Sequence, residues 1–235
     1  MYANYEGWEL SVFDISQNYR SYQFQLIKNF IKGRTAEVGP GNGININFYL
    51  NKVESLDLYE PTKKLFDNLK EKFFIDQNHN NQKKINIFNR TFLGVSEKYD
   101  TIIYLDVLEH IKDDKKEFTN AFDNLKEGGY LIINVPAFNI LYSEFDKDVQ
   151  HHKRYNKKDF KELLNFVDSS YSKLKYYDSL GFLLSFFSKF LLNKNYKNNF
   201  EKKISIWNKL IPLSKFLDKL IFHFLGKSLM VVVKK

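Results

Sequence analysis

Short apolar runs alternate with helical patterns along most of the chain. Runs that predict β-strands lie at residues 35–38, 54–58, 84–88, 101–105 and 130–135. Each run is apolar enough to be covered on both faces, which is typical of a parallel sheet. The helical stretches between them predict right-handed crossovers, and therefore an α/β fold built from βαβ units.

Apolar residues at helical spacing predict the helices of this fold. A leading helix is expected over residues 11–32. The pattern at 118–125 predicts a helix that ends at Gly128, since glycine commonly terminates helices. Asn156 followed three residues later by Asp159 resembles a capping box and predicts the start of another helix.

The C-terminal part follows a different pattern. Residues 171–177 and 227–233 predict two further strands, and about 45 apolar-rich residues with helical spacing separate them. The run at 181–192 is too short to span a bilayer. Pro212 is predicted to start a helix within this segment. Packing on the sheet is the role we expect for the segment; a lid, a dimer face and contact with a membrane surface are alternatives.

No linker or repeat interrupts these patterns, and 235 residues suffice for one domain. We therefore expect a single domain with a helical cap over 1–33, a core over 34–178, a helical insertion over 179–226 and a final strand over 227–235.

Composition changes this picture in two ways. The chain contains no cysteine, which excludes disulfides, thiolate metal sites and cysteine nucleophiles, and no apolar leader opens it. We therefore expect a cytoplasmic protein without a transmembrane segment. Charge is uneven: residues 1–150 hold 18 basic and 22 acidic side chains, whereas residues 151–235 hold 18 and 6. This asymmetry indicates either an anionic partner near the C-terminal part or a solvated lysine face.

Three glycines in five positions follow the first predicted strand. Gly39, Gly41 and Gly43 allow the backbone to approach a ligand closely. Ile44 stands where a dinucleotide-binding fingerprint has its third glycine, and the Gly-Lys-Ser/Thr of a nucleotide-triphosphate loop is also missing. The loop therefore predicts a ligand site that lacks the pyrophosphate-binding device, which argues against a nicotinamide-dependent oxidoreductase.

An acidic residue ends the second predicted strand. Glu60 lies 17 residues after Gly43, at the edge of the sheet where the glycine loop also lies. A carboxylate there can accept hydrogen bonds from both ribose hydroxyls of an adenosine. The alternative is a solvated acid at a helix start.

Four stretches resemble the successive motifs of class I S-adenosylmethionine-dependent methyltransferases. In order over residues 34–140 they are EVGPGNG, LDLYEP, KYDTIIYLDVLEHIKDD and LKEGGYLIINVPAF. Two more, QNYRSY at 17–22 and LYSEFDKDVQHHKRY at 141–155, resemble a bacterial subgroup found with glycosyltransferases and enzymes of surface-polysaccharide synthesis. The subgroup usually has Gly-His-x-Arg-Arg-Tyr. This sequence matches that pattern at His151, Arg154 and Tyr155 and differs from it at Gln150 and Lys153.

The resemblance implies a Rossmann-like sheet of seven mostly parallel strands, the last antiparallel, with helices on both faces. It also implies S-adenosylmethionine as cofactor. The cofactor-binding residues we expect are Tyr19, Glu37, Gly39, Gly41, Asn42, Gly43, Glu60, Pro61, Asp106, Val107 and Leu108.

Methyl transfer requires mainly alignment, and a base only if the acceptor loses a proton. His110 and His151 are the predicted catalytic residues, because the pKa of histidine lies near neutrality. No metal is expected, since His110 and His151 are too far apart in sequence for any metal-binding motif. The substrate-binding residues we expect are Tyr22, His110, His151, Lys153, Arg154 and Tyr155.

We interpret the chain as a methyltransferase acting on an oxygen of a small polar acceptor, sugar-like or phosphorylated and nucleotide-linked, in surface-glycan synthesis. Its partners would be that acceptor and, as possibilities the sequence leaves open, a membrane surface and a second copy of the chain. No obligate nucleic acid is expected, although methylation of RNA or of another small molecule is an alternative. A non-catalytic protein that binds a cofactor or a membrane surface is an alternative of another class.

Overall fold

The computed structural model describes residues 7–76, 84–95, 97–191 and 197–235. Within these residues the chain forms one seven-stranded sheet with helices on both faces. The strands are β1 (Arg34–Val38), β2 (Ser55–Tyr59), β3 (Lys84–Phe88), β4 (Tyr99–Leu105), β5 (Leu125–Pro136), β6 (Tyr171–Tyr177) and β7 (Ser228–Lys234). The α-helices are α1 (Trp8–Phe13), α2 (Gln17–Ile27), α3 (Ile46–Tyr49), α4 (Lys63–Asp76), α5 (Asp114–Asp123), α6 (Glu144–Asp148), α7 (Lys157–Leu164), α8 (Ser179–Leu191) and α9 (Phe200–Leu220).

The strands are ordered β3-β2-β1-β4-β5-β7-β6. Strands β1 to β5 pair in parallel, and β7 runs antiparallel to both β5 and β6. The predicted Rossmann-like sheet of seven strands with an antiparallel last strand is confirmed. Chain order reverses between β1 and β4, so their carboxyl ends mark the position where ligands bind in open α/β sheets.

The central strands are buried on both faces, as their apolar runs predicted. Along β4, Ile102 and Tyr104 pack into one core cluster, and Ile103 and Leu105 pack into the cluster on the opposite face. This double burial explains why the strand ends could be predicted to within five residues.

Two helix predictions were wrong at their ends. The predicted leading helix is broken into α1 and α2, because the Ser16 hydroxyl donates to the Phe13 carbonyl and Gln17 Nε2 donates to the Asp14 carbonyl at 2.9 Å. Such local bonds compete with helical ones. Helix α5 ends at Asp123 and β5 begins at Leu125, so Gly128 lies within a strand rather than at a helix end.

Pro212 lies inside α9 and does not start it, contrary to the prediction. A proline within a helix deprives the carbonyl four residues earlier of its partner. Here that carbonyl belongs to Asn208, and it accepts a hydrogen bond from Asn18 Nδ2 in α2 at 3.0 Å. The neighbouring helix therefore supplies the bond that the proline removes. The predicted capping box of Asn156 and Asp159 is confirmed at the start of α7.

The segment before the last strand packs against the protein. Ile204, Trp207 and Ile211 of α9 join the core cluster that covers the same face as α2. Trp207 Nε1 donates to Asp178 Oδ2 at 2.7 Å, and Tyr22 donates its hydroxyl to Asp218 at 2.8 Å. None of the described helices is both long and apolar enough to cross a membrane.

Candidate functional site

A cavity opens at the carboxyl ends of β1, β2 and β4, where the strand order predicts a ligand. It encloses about 730 Å³, counting the part open to solvent. Its lining comes from the glycine loop, from the ends of β2 and β4, and from α1 and α2. The lining residues are Leu10, Asp14, Arg20, Gly39, Pro40, Gly41, Asn42, Ile44, Asn45, Glu60, Thr62, Leu65, Leu105, Asp106, Val107 and His110.

The glycine loop requires its glycines for conformation and for space. Gly39, Gly41 and Gly43 have φ of 66°, 57° and 66°, a region that side chains with a Cβ rarely adopt. A Cβ on Gly43 would lie 2.7 Å from Leu69 Cδ2, so this glycine lets the loop pack on α4. Gly39 and Gly41 line the cavity. The loop thus combines close packing on one side with exposed backbone on the other.

Glu60 is held at the cavity wall by the backbone. Its carboxylate accepts hydrogen bonds from Thr62 N at 2.9 Å and from Gly41 N at 3.3 Å, and the residue is 2% exposed. Burial raises the pKa of this carboxyl above its ordinary value, although both backbone bonds oppose that shift. A carboxylate has about four acceptor positions, so Glu60 can still accept bonds from a pair of ligand hydroxyls.

Glu37 is bonded to α3 and does not line the cavity. It is 1% exposed and accepts a hydrogen bond from the Tyr49 hydroxyl. Burial raises its pKa to about 7, while Tyr49 and Arg20 act in the opposite direction.

Asp106 follows β4 with φ of 60°, a strained conformation of the kind found at functional sites. Its carboxylate lies 3.8 Å from Arg20 Nη1 and accepts a hydrogen bond from Asn134 Nδ2 at 2.6 Å. The Tyr177 hydroxyl donates to Asn134 Oδ1 at 2.8 Å and lies 2.9 Å from the Tyr19 hydroxyl. Tyr19 therefore belongs to the network that positions Asp106, and it is not a lining residue.

A cluster of one carboxylate and two imidazoles lies just past Asp106. The His110 ring lines the cavity, and its centroid is 4.7 Å from that of His151. His151 Nε2 lies 3.9 Å from Glu109 Oε1, and His151 Nδ1 lies 2.9 Å from Asp146 Oδ1. Burial lowers the pKa of His110 to about 3, and burial together with Asp106 raises that of Glu109 well above its ordinary value.

The loop after β5 uses its basic residues for internal contacts. Arg154 is 5% exposed and binds Asp146 through Nε at 2.9 Å and Nη2 at 3.0 Å. Lys153 Nζ lies 2.6 Å from Asp114 Oδ2, which also accepts from the buried Tyr155 hydroxyl at 2.9 Å. The sequence predicted that Lys153, Arg154 and Tyr155 bind the substrate. In the structure their polar groups bind Asp114 or Asp146, and none of the three lines the cavity.

Seven of the 17 residues predicted for the site line the cavity. Those that do are Gly39, Gly41, Asn42, Glu60, Asp106, Val107 and His110. The predicted residues outside its lining are Tyr19, Tyr22, Glu37, Gly43, Pro61, Leu108, His151, Lys153, Arg154 and Tyr155. Tyr22 is 3% exposed, and its hydroxyl donates a hydrogen bond to Asp218 of α9. Its side chain is therefore buried between α2 and α9 and does not reach the cavity.

Several lining residues were not predicted. Arg20 lies within QNYRSY, from which only the two tyrosines were predicted to belong to the site. Thr62 directly follows Glu60 and Pro61, and the sequence there indicated only the start of a helix. Leu10 and Asp14 reach the site only because the chain breaks between α1 and α2, and the sequence pattern did not indicate that break.

Comparisons with known proteins concern the family and the fold of the chain. A family model described as a methyltransferase domain matches residues 4–170. A search of the curated proteins found no match.

Solved structures give the same fold at low sequence identity. A SAM-dependent methyltransferase from Archaeoglobus fulgidus is 14% identical with a TM-score of 0.59, and the match covers 94% of each chain. The N-methyltransferase NodS from Bradyrhizobium japonicum, in complex with S-adenosyl-L-homocysteine, is 10% identical with a TM-score of 0.60 over 100% of this chain and 99% of that one. Phosphoethanolamine N-methyltransferase 2 from Haemonchus contortus, in complex with S-adenosyl-L-methionine, is 12% identical with a TM-score of 0.62 over 97% of this chain and 57% of that one.

Proposed function

We propose that this chain, which belongs to the methyltransferase domain family, transfers a methyl group to an oxygen of a small polar acceptor. The cofactor is S-adenosyl-L-methionine, as the sequence motifs predicted. The observation that carries the proposal is the pairing of Glu60 with the bare glycine loop at one wall of the cavity. When bound, the cofactor supplies a methyl group that is already activated on a sulfonium.

The residues present fit this cofactor. Glu60 offers a buried acceptor to the ribose hydroxyls, and charge-assisted bonds of this kind are the strong ones. Gly39 and Gly41 have no Cβ to obstruct the cavity. Asp106, at the end of β4, adds a second carboxylate to the lining, which would attract the positively charged sulfonium of the cofactor.

The remaining residues of the site must align the acceptor and exclude water, because little covalent chemistry is left for the protein. A hydroxyl acceptor also loses a proton, and the polar side chains that follow β4 can accept it. Glu109, His110 and His151 form that group of side chains, and we assign the acceptor's reacting oxygen to their end of the cavity. Arg20, which lines the cavity beside Asp106, is a cation that could bind an anionic acceptor.

The acceptor we propose is sugar-like or phosphorylated and belongs to surface-glycan synthesis in the cytoplasm. The resemblance to the bacterial subgroup supports this, and so does the basic C-terminal part of the chain. Nitrogen is the alternative acceptor atom, because two of the structures with this fold are named as N-methyltransferases.

The test is methyl transfer from labelled S-adenosylmethionine to a panel of nucleotide-linked sugars and amines, followed by mass spectrometry. We expect one labelled methyl on an oxygen of a hydroxylated acceptor, and a loss of at least tenfold in turnover for His151→Gln. His223→Gln is the matched control, since His223 binds the Tyr176 carbonyl and does not line the cavity. Label found only on nitrogen, or none on any acceptor, would contradict the proposal.

A further inference from the structure

Two imidazoles and a carboxylate are brought together directly behind the cavity. One ligand atom from each of Glu109, His110 and His151 lies within 4.8 Å of the other two. Glu109 and His110 follow β4, whereas His151 lies on the loop after β5. The two parts are joined by a hydrogen bond from His152 N to the Glu109 carbonyl at 2.8 Å, so the fold holds the cluster together.

Glu109 is the unusual member of this cluster. Its side chain is 1% exposed, and neither carboxylate oxygen has a hydrogen-bond partner among the described residues. A buried carboxylate without a partner is costly, and proteins retain such groups where they are paired or where they bind a metal ion. A bound cation would remove this cost.

His151 is oriented as metal-binding histidines are. Its Nδ1 lies 2.9 Å from Asp146 Oδ1, which leaves Nε2 directed towards Glu109. Asp146 is itself fully buried and fixed by Arg154 and by the Ser143 backbone N–H at 2.9 Å. Metal-ligating histidines almost always carry such a carboxylate on the second ring nitrogen, where it fixes the tautomer.

We propose that Glu109, His110 and His151 bind one divalent transition-metal ion, such as Mn²⁺ or Zn²⁺. The 3.9 Å between His151 Nε2 and Glu109 Oε1 is close to the separation of about 3.4 Å between two ligands of a tetrahedral ion at bond lengths of about 2.1 Å. Closure therefore requires movements of a few tenths of an ångström at this pair. Two imidazole nitrogens favour a transition-metal ion over Mg²⁺ or Ca²⁺, which prefer oxygen.

The site would face the acceptor. His110 lines the cavity, so an ion bound by it lies at the cavity's end, and three protein ligands leave a coordination position open. The ion's role rests on the proposed function, although its binding does not. With the ion bound, the three side chains are its ligands and no longer accept the proton. A hydroxyl oxygen bound to such an ion loses its proton to solvent water more readily, which would make the acceptor a better nucleophile.

The test is a titration of the full chain, freed of metal with a chelator, with Mn²⁺ alone, with Zn²⁺ alone and with Mg²⁺ alone. Mn²⁺ is followed by electron paramagnetic resonance and Zn²⁺ by calorimetry, without cofactor or acceptor. We expect one ion per chain, at least tenfold tighter than Mg²⁺. Glu109→Gln and His151→Gln should each weaken binding by at least tenfold, and His223→Gln should leave it unchanged. Metal-free Glu109→Gln should unfold at the same or a higher temperature than the parent, because a neutral amide costs less to bury than a group that can ionise.

Failure to bind either ion with one-to-one stoichiometry would overturn the site, as would equal affinity of the parent and the Glu109→Gln and His151→Gln variants. These measurements contain no cofactor, so they fail independently of the proposed methyl transfer. The ion's role is tested by turnover, which should fall at least tenfold in the metal-free chain and return with Mn²⁺. Full turnover without metal would overturn that role.

Discussion

Substituting Gly43 with alanine tests whether the glycine loop is bare because it must pack closely on α4. The added Cβ would lie 2.7 Å from Leu69 Cδ2, 3.2 Å from Phe73 Cε2 and 3.3 Å from Ile46 Cδ1. Leu69 is fully buried, and Phe73 and Ile46 belong to the same core cluster. None of the three has open space to move into, so the substitution should both strain the backbone and overpack the core.

Gly128 is a matched control. Its φ is 73°, close to the 66° of Gly43, yet a Cβ on Gly128 would meet nothing within 4 Å. Backbone strain of about 1–2 kcal/mol applies to both positions. Overpacking of about 1–3 kcal/mol applies to Gly43 alone. We therefore expect Gly43→Ala to lower the free energy of unfolding by about 2–5 kcal/mol, and Gly128→Ala by about 1–2 kcal/mol.

The assay is urea unfolding of the full chain, followed by circular dichroism, for the parent and both variants. The difference between the two variants isolates the steric contribution, because the backbone contribution is shared. Equal losses of stability for Gly43→Ala and Gly128→Ala would refute the claim that contact with α4 requires a glycine at position 43.

Three further substitutions test other parts of the structure by the same unfolding assay. Because the folded chain binds the Glu37 proton more tightly, with a pKa of about 7 against 4.5, Glu37 destabilises the fold increasingly as pH rises between these values. Glu37→Gln should therefore gain stability over the parent across this range, reaching about 3 kcal/mol at pH 8; no change in the difference between pH 4 and pH 8 would refute this. Asn18→Ala should lower the free energy of unfolding by about 1 kcal/mol in the parent and by close to nothing in a Pro212→Ala background. Alanine at position 212 restores the helical hydrogen-bond donor to the Asn208 carbonyl, which then no longer needs Asn18. Equal losses in the two backgrounds would exclude that compensation. Gln150→Gly should stabilise the fold by about 1 kcal/mol, because Gln150 has φ of 63° and a buried Oε1 with no hydrogen-bond partner among the described residues, and a loss of stability would contradict that reasoning.

The sheet could be predicted from the sequence because its signals are local. Each central strand is an apolar run, and β4 shows why: consecutive residues are buried on alternate faces. Helix ends were harder. The break between α1 and α2 depends on hydrogen bonds made by Ser16 and Gln17, and the continuation of α9 through Pro212 depends on Asn18, which is 194 residues away in sequence from the proline.

The site divides in the same way. Gly41 and Glu60 could be found because they end predicted strands at one edge of the sheet. The contacts of Arg154 with Asp146 could not be predicted, because a basic residue in a loop is expected at the surface unless its partner is known. Spacing along the chain also gave no indication that His151 would lie beside Glu109 and His110, because that proximity arises from the loop after β5 folding back onto β4.

Calorimetric titration of the folded chain with S-adenosyl-L-methionine, and with its demethylated product, is the most direct test of the account. We predict saturable binding of one molecule per chain, and a loss of about 1.5–3 kcal/mol in binding free energy, or roughly 10- to 100-fold in affinity, for Glu60→Gln. Glu54→Gln, which alters an exposed acid before the opposite end of β2, should bind as the parent does. Absence of binding by the folded chain, or equal affinity of Glu60→Gln and the parent, would contradict the claim that Glu60 and the glycine loop together hold the cofactor.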